Sequence, residues 1–186
     1  MKSFFMRCKG SILAALALCF IVLVYGPLEL YFTNRSDFWF APKVILPDVA
    51  ALFLLALIAC LVLLALADRF SKRLYALLTG CFVWGTLVCY IHSNFLSSWL
   101  PNMNGKEVDW SAYPQQRAAS IAVCAAAAVL VAVLMRKNWL QKAALWGGSL
   151  LTMVLAVTLV VLGIGSSSSS AGQMYYSSAE GLQEYS

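Results

Sequence analysis

Charged residues are scarce in this chain. Asp, Glu, Lys and Arg make up only 11% of its 186 residues, whereas about 25% is usual in a soluble domain. Hydrophobic residues make up 62%. Five long stretches lack charge altogether, and none of them shows the polar face by which a helix of a soluble protein meets water. This scarcity argues against a soluble fold and predicts an integral membrane protein.

The most apolar stretch is residues 49–67 (VAALFLLALIACLVLLALA). As a helix it would be roughly 28 Å long, close to the hydrocarbon thickness of a bilayer, about 30 Å. Four further stretches are similar, and we expect the fold to be all-α, a membrane bundle of five transmembrane helices. The expected spans are residues 10–27, 47–67, 74–93, 118–135 and 143–164.

Basic residues lie at the ends of these spans and are unevenly shared between the two sides. Nine of the 13 Lys and Arg residues would lie on the side of the N-terminus. They are Lys2, Arg7, Lys9, Arg69, Lys72, Arg73, Arg136, Lys137 and Lys142. The positive-inside rule then places the N-terminus in the cytoplasm and the C-terminus outside. This distribution also accounts for the net charge of +5 without nucleic acid as a partner; the expected partner is the lipid bilayer.

Asp, Glu, Lys and Arg are missing from the centres of all five spans. Transporters and proton pumps usually bury such a group in the membrane, so a small transporter is the less favoured possibility. His92 is the only histidine, and it has no carboxylate at helical spacing, which disfavours catalysis. The six cysteines show no metal-ligand spacing and are expected to be small packing residues. We therefore expect no metal and no cofactor.

Pro27 is expected to end the first helix, so the first outer loop is predicted at residues 28–47. Aromatic residues are concentrated in this loop. These rings predict either an interfacial belt or a short helix on the outer leaflet. The other interpretation is a lipid-headgroup contact through Arg35, Asp37 and Trp39. Trp110, in the second outer loop at residues 93–116, is a further candidate for interface contact.

Small residues recur every four positions in the fourth span, at Ala118, Ala122 and Ala126. Such a stripe allows helix backbones to approach closely, so this span is predicted to lie in the middle of the bundle. Residues 68–73 and residues 136–142 are read as short cytoplasmic turns, and the first of these makes the second and third spans antiparallel neighbours. Residues 1–165 would form one five-span domain, and residues 166–186, which begin with five serines, a Ser-rich extracellular linker and tail.

Several short motifs resemble a group of bacterial membrane proteins in which a multi-span region precedes an extracellular sulfatase-like domain. They are residues 26–34 (GPLELYFTN), 37–40 (DFWF), 94–96 (NFL), 100–101 (LP), 105–113 (GKEVDWSAY) and 177–182 (SSAEGL). The overall plan is similar to that of lipoteichoic acid synthases. There, five membrane helices precede an outward-facing domain of the alkaline phosphatase superfamily.

The resemblance implies a bacterial plasma-membrane location and a role in the cell envelope. In that superfamily a Thr, Ser or modified Cys nucleophile and a divalent metal act on a phosphate or sulfate ester, and no residue of this chain corresponds to them. The expected function is therefore a membrane-anchoring module that is not catalytic by itself. Its partners would be a lipid-linked substrate or a separate extracellular domain. The chain would then be a truncated product, a fragment or a split subunit. The alternative is a free-standing membrane interaction or assembly protein.

Overall fold

The computed structural model of the chain describes residue 6 and residues 8–33, 35, 42–92 and 113–183. For residue 42 and residues 166–183 it describes the backbone alone. No strand occurs among these residues. They form five helices that are long and apolar enough to cross a membrane. The helices are α1 (Lys9–Thr33), α2 (Pro42–Phe70), α3 (Lys72–Ile91), α4 (Pro114–Arg136) and α5 (Leu140–Gln183).

Helix α1 passes through Pro27 and ends at Thr33, so the prediction that it ends near Pro27 is wrong. A proline inside a helix lacks an N–H donor, and its ring collides with the carbonyl four residues earlier. Here that carbonyl belongs to Leu23, which lies in a π-helical turn at Ile21–Tyr25. The wider turn changes the position of this carbonyl relative to the proline ring, and the helix continues.

Helix α2 also starts earlier than predicted, at Pro42, and contains Pro47 in its second turn. Much of the predicted loop at residues 28–47 is therefore helical. A single residue, Ser71, separates α2 from α3. Its side chain accepts a hydrogen bond from the backbone N–H of Arg73 at 3.2 Å, which caps the new helix. The predicted tight turn between these antiparallel neighbours is confirmed.

Helices α4 and α5 are joined by a turn of three residues. Asn138 has a φ of 55°, in the left-handed region that Asn tolerates better than most residues. The N–H of Asn138 bonds to the carbonyl of Met135 at 3.2 Å, and that of Trp139 bonds to the carbonyl of Leu134 at 3.0 Å. These two bonds form a Schellman motif, which ends α4 and reverses the chain.

Helix α1 is the centre of the bundle. In its most apolar stretch 44% of the residues are buried, compared with 6% in α2, 22% in α3, 11% in α4 and 17% in α5. The prediction that the alanine-rich fourth helix lies in the middle is wrong. Ala118, Ala122 and Ala126 are all exposed, and α4 instead buries Ala127 and Val131.

Helices α1 and α5 run parallel and stay in contact along the length of α1. Near their starts, a Cβ atom added to Gly10 would lie 2.7 Å from the side-chain oxygen of Gln141. Further along, one added to Gly148 would lie 3.1 Å from the carbonyl oxygen of Leu13. Near the end of α1, one added to Gly163 would lie 3.4 Å from the ring of Phe32. The close packing therefore depends on glycines of α1 and α5.

Two apolar clusters form the interior. One joins Ala14 and Ala15 of α1 to residues of α2, α3 and α5, namely Leu64, Phe82 and Ala144. The other joins Ile21, Tyr25 and Leu28 of α1 to Leu155 and Leu159 of α5. Large apolar side chains cover the outside, among them Leu55 and Ile58 of α2 and Val160 of α5. In a bilayer these side chains face lipid.

Candidate functional site

Four polar side chains meet inside the bundle where α1, α3 and α5 begin. Ser11 is fully buried on α1, and its Oγ lies 2.5 Å from the hydroxyl oxygen of Tyr75 and 2.8 Å from Oγ1 of Thr79. Nε2 of Gln141 donates a hydrogen bond to the same Oγ at 2.7 Å. We call these four residues the polar cluster. Because Ser11 contacts the other three members, it is the hub of the cluster.

The proton of each hydroxyl group in the cluster can be assigned from these contacts. Thr79 donates to the backbone carbonyl of Tyr75 at 2.9 Å, so its oxygen is left to accept from Ser11. Ser11 in turn accepts from Gln141 and from Tyr75. The second N–H of Gln141 points to the hydroxyl oxygen of Tyr75 at 3.4 Å. The network is neutral and nearly complete, which suits a medium without water.

One atom of the cluster has no partner. Among the described residues, Oε1 of Gln141 is the buried side-chain oxygen or nitrogen that makes no hydrogen bond. It faces the position where Gly10 has no side chain, since a Cβ atom there would lie 2.7 Å away. Gly10 therefore lets the amide of Gln141 enter the interface between α1 and α5. Hydroxyls and an amide carry no charge near neutral pH, so the arrangement fits helix association rather than acid–base chemistry.

An apolar groove opens between α4 and α5, next to the polar cluster. Its volume is about 300 Å³. Its floor is made of small residues of α1 and α5, including Ala14, Ala17, Gly147 and Gly148. Leu87, Leu130, Leu134 and Leu151 are among the residues of its walls. Thr86 and Tyr90 also line it. The hydroxyl of Thr86 donates to the carbonyl of Phe82 at 2.7 Å, and the surface of the groove is almost entirely hydrocarbon.

Of the four residues predicted to contact headgroups or the interface, one is described. Arg35 follows the end of α1, and its guanidinium carbon lies 5.2 Å from the centre of the Tyr31 ring. Tyr31 itself is buried, with 2% of its surface exposed. The arginine therefore stands beside an aromatic face, a favourable cation–π geometry. Asp37, Trp39 and Trp110 lie outside the described residues.

The cysteines are free, and several of them are packing residues. Cys8 and Cys19 are buried, whereas Cys81 is exposed on α3. The sulfur of Cys19 lies 3.9 Å from that of Cys60 across the contact between α1 and α2. Within the described parts of the chain, no group of three or more His, Cys, Asp or Glu residues has the geometry of a metal site.

Sequence reasoning missed the polar cluster. The sequence predicts that Gln141 lies in the turn between the last two helices, but α5 begins one residue earlier, at Leu140. Two other members, Ser11 and Thr79, are visible in the sequence as hydroxyl residues inside apolar stretches. Such residues often bond to the carbonyl of their own helix. Nothing in their spacing indicates that they meet residues of other helices.

Comparisons of the chain with known protein families, with curated proteins and with solved structures find no match. The class of protein is thus defined by the bundle itself. It is an all-helical, multi-pass membrane protein with five candidate spanning helices.

Proposed function

We propose that the chain is the membrane-anchoring module of a cell-envelope protein of the sulfatase or phosphoglycerol transferase type in a bacterial plasma membrane. It is not catalytic itself. It holds a domain on the outer side of the membrane, and its aromatic outer loops present lipid-linked substrate to that domain. The motifs at residues 26–34 and 105–113 motivate this assignment, because they resemble the membrane region of such proteins.

The parallel course of α1 and α5 is the observation that carries the anchoring role. The first residues of α1, α3 and α5 meet in the polar cluster, so these residues form one end of the bundle, and the last residues of α1 and α5 lie at the other. Seven described basic residues flank the first end, which we call the basic end. They are Lys9, Arg69, Lys72, Arg73, Arg136, Lys137 and Lys142. The positive-inside rule would place this end in the cytoplasm and the end of α5 outside.

The length of α5 also supports this function. The helix has 44 residues, about 66 Å at 1.5 Å per residue, which is twice the hydrocarbon thickness of a bilayer. Its backbone is helical through residues 166–183, the segment predicted to be a Ser-rich linker and tail. This extension of about 27 Å would act as a stalk between the membrane and an attached domain.

Reporter fusions test the orientation. A reporter that is active only outside the cytoplasm should be active when fused after Ser186 and inactive when fused after Leu74. A fusion after Lys137 is the matched control, because this residue also lies at the basic end and should give an inactive reporter. Activity at Leu74 and Lys137 with none at Ser186 would reverse the orientation and rule out an outward-facing domain on α5.

The DNA downstream of the codon for Ser186 tests the type of protein. A reading frame for a sulfatase-like domain there, continuous or separated by a stop or a frameshift, is the expected result. Unrelated sequence would favour the alternative, a free-standing interaction or assembly protein. The exposed alanine stripe of α4 favours that alternative, because small residues on a lipid-facing surface let another helix approach closely.

A further inference from the structure

We infer that the groove between α4 and α5 binds one acyl chain of an anionic phospholipid, whose phosphate lies at the turn between these helices. The inference concerns the basic end and is separate from the headgroup contact considered for Arg35. It holds whichever side of the membrane the basic end faces, and it does not rest on the anchoring role. It is carried by the size, the direction and the charge of the groove.

The size and the lining of the groove fit a hydrocarbon chain. Its volume is about 300 Å³, and about 10–15 Å³ on this measure is enough for one group of the size of a water molecule. The groove therefore has room for a row of methylene groups. Its floor of alanine and glycine and its walls of leucine offer almost only hydrocarbon, which is the surface that an acyl chain contacts.

The direction of the groove fits a lipid of one leaflet. Its lining residues on α5 extend from Ala143, three residues after the start of the helix, to Leu151. This distance is about 12 Å along the helix axis. Leu134 of α4 lies near the turn, and Leu130 lies one helical turn further from it. The groove therefore runs from the basic end towards the middle of the membrane, as an acyl chain does.

The charge at the mouth of the groove indicates an anionic headgroup. Arg136 ends α4, Lys137 follows it, and Lys142 lies in the first turn of α5; all three side chains are exposed. The ammonium of Lys137 lies 5.1 Å from the centre of the Trp139 ring, which keeps it close to the turn. No acidic residue occurs between Arg117 and Gly165. Basic clusters next to membrane helices attract anionic lipid.

Native mass spectrometry of the purified, delipidated full chain tests the site. Phosphatidylglycerol and phosphatidylcholine with identical acyl chains are added separately, and bound lipid is counted. We expect one phosphatidylglycerol to remain bound under conditions that remove phosphatidylcholine. Equal binding of the two lipids would overturn the inference. Glycerol phosphate, which carries the charge without acyl chains, should not displace the lipid; displacement would mean that the turn binds free phosphate and that the groove is not used.

Two glycines of α5 provide a matched pair of variants for the groove. A Cβ atom at Gly147 or at Gly165 meets nothing within 4 Å, but only Gly147 lines the groove. Gly147→Leu should fill it and abolish the preference for phosphatidylglycerol, whereas Gly165→Leu should leave the preference unchanged. Folding of the variants is checked by circular dichroism and gel filtration. If the leucine variant does not fold, Gly147→Val takes its place in the same lipid-binding measurement. Unchanged lipid binding in a folded Gly147 variant would contradict the inference.

The three basic residues at the turn between α4 and α5 have a matched control. It is the set of three basic residues at the turn between α2 and α3, which also lies at the basic end. Replacing Arg136, Lys137 and Lys142 by Gln should reduce binding of phosphatidylglycerol to the level of phosphatidylcholine. The same change at Arg69, Lys72 and Arg73 should preserve the difference between the two lipids. If both triple variants lose it equally, the charge of the whole end attracts lipid, and the groove is not a defined site. If Gly147→Leu instead dissociates a dimer, a second copy of the chain occupies the groove.

Discussion

Cys19 on α1 and Cys60 on α2 face each other with their sulfur atoms 3.9 Å apart. They are 41 residues apart in the chain. Each lies within a membrane-spanning helix, and the pair marks where the least buried helix rests on the central one. A disulfide needs a sulfur–sulfur distance of about 2.05 Å, so a small rotation of the side chains would allow the bond to form under an added oxidant.

Oxidative crosslinking should therefore join α1 to α2. In a variant whose only cysteines are Cys19 and Cys60, treatment with iodine should form the disulfide efficiently. A protease site inserted in the connection between the helices makes the bond visible, since the cleaved chain stays together on a non-reducing gel. The control keeps Cys19 and Cys81, which also lie on opposite sides of the cleavage site, but Cys81 is exposed on α3. Equal crosslinking of both pairs would contradict the packing of α2 against α1.

Gly10 should be intolerant of even a methyl group. In a free helix Gly→Ala is stabilising by up to about 1 kcal/mol, but here the added carbon would collide with the backbone carbonyl of Gln141. Overpacking of this kind typically costs about 1–3 kcal/mol, so Gly10→Ala should lower the free energy of unfolding. Denaturation by sodium dodecyl sulfate, followed by circular dichroism, measures the effect.

Gly147→Ala is the matched control, because its new carbon would enter open space. It should be neutral or stabilising by up to about 1 kcal/mol. A Gly10 variant that is as stable as this control would show that α1 and α5 are not in close contact at their starts.

Ser11 and Gln141 should be energetically coupled. Hydrogen bonds between membrane helices contribute about 0.6 kcal/mol on average and about 1.7 kcal/mol at most. A double-mutant cycle with Ser11→Ala and Gln141→Leu should give a coupling within this range, nearer the upper value because Ser11 contacts three side chains. Gln141→Leu by itself also removes the unpartnered Oε1, which offsets part of its effect. Strictly additive effects of the two substitutions would indicate that the hydrogen bond does not form.

Replacing Arg35 and Trp39 by Ala tests the predicted headgroup contact in the first outer loop. If these residues bind a headgroup, the double variant should lose headgroup-specific binding in a vesicle flotation assay that compares lipids with different headgroups. The Arg35→Lys variant is a useful control because it keeps the charge but loses the planar group next to Tyr31. Binding that is unchanged in the double variant would support the interfacial-belt interpretation of this loop.

The helices were predictable because the bilayer imposes a length and a composition that any spanning segment must satisfy. Residues 49–67 and the tight turn before α3 illustrate this. Boundaries near proline were less predictable. Pro27 is accommodated by a π-helical turn, and nothing in its neighbours specifies that turn. The sequence places Gln141 in a turn because basic residues lie on both sides of it, as is typical of a loop between membrane helices. In the structure its amide instead donates a hydrogen bond to Ser11 of another helix, 130 residues away.

Composition and the placement of charge are enough to predict a membrane protein with five apolar helices whose basic residues gather at the helix ends. The packing of the helices was needed to show that α1 is central, that Gly10 and Gly148 form the close contact between α1 and α5, and that the alanines of α4 face outwards. Composition does not reveal this packing because lipid solvates every apolar face of a helix equally well. Hydrophobicity therefore specifies which segments enter the membrane, and close packing and hydrogen bonds between distant residues specify how those segments face one another.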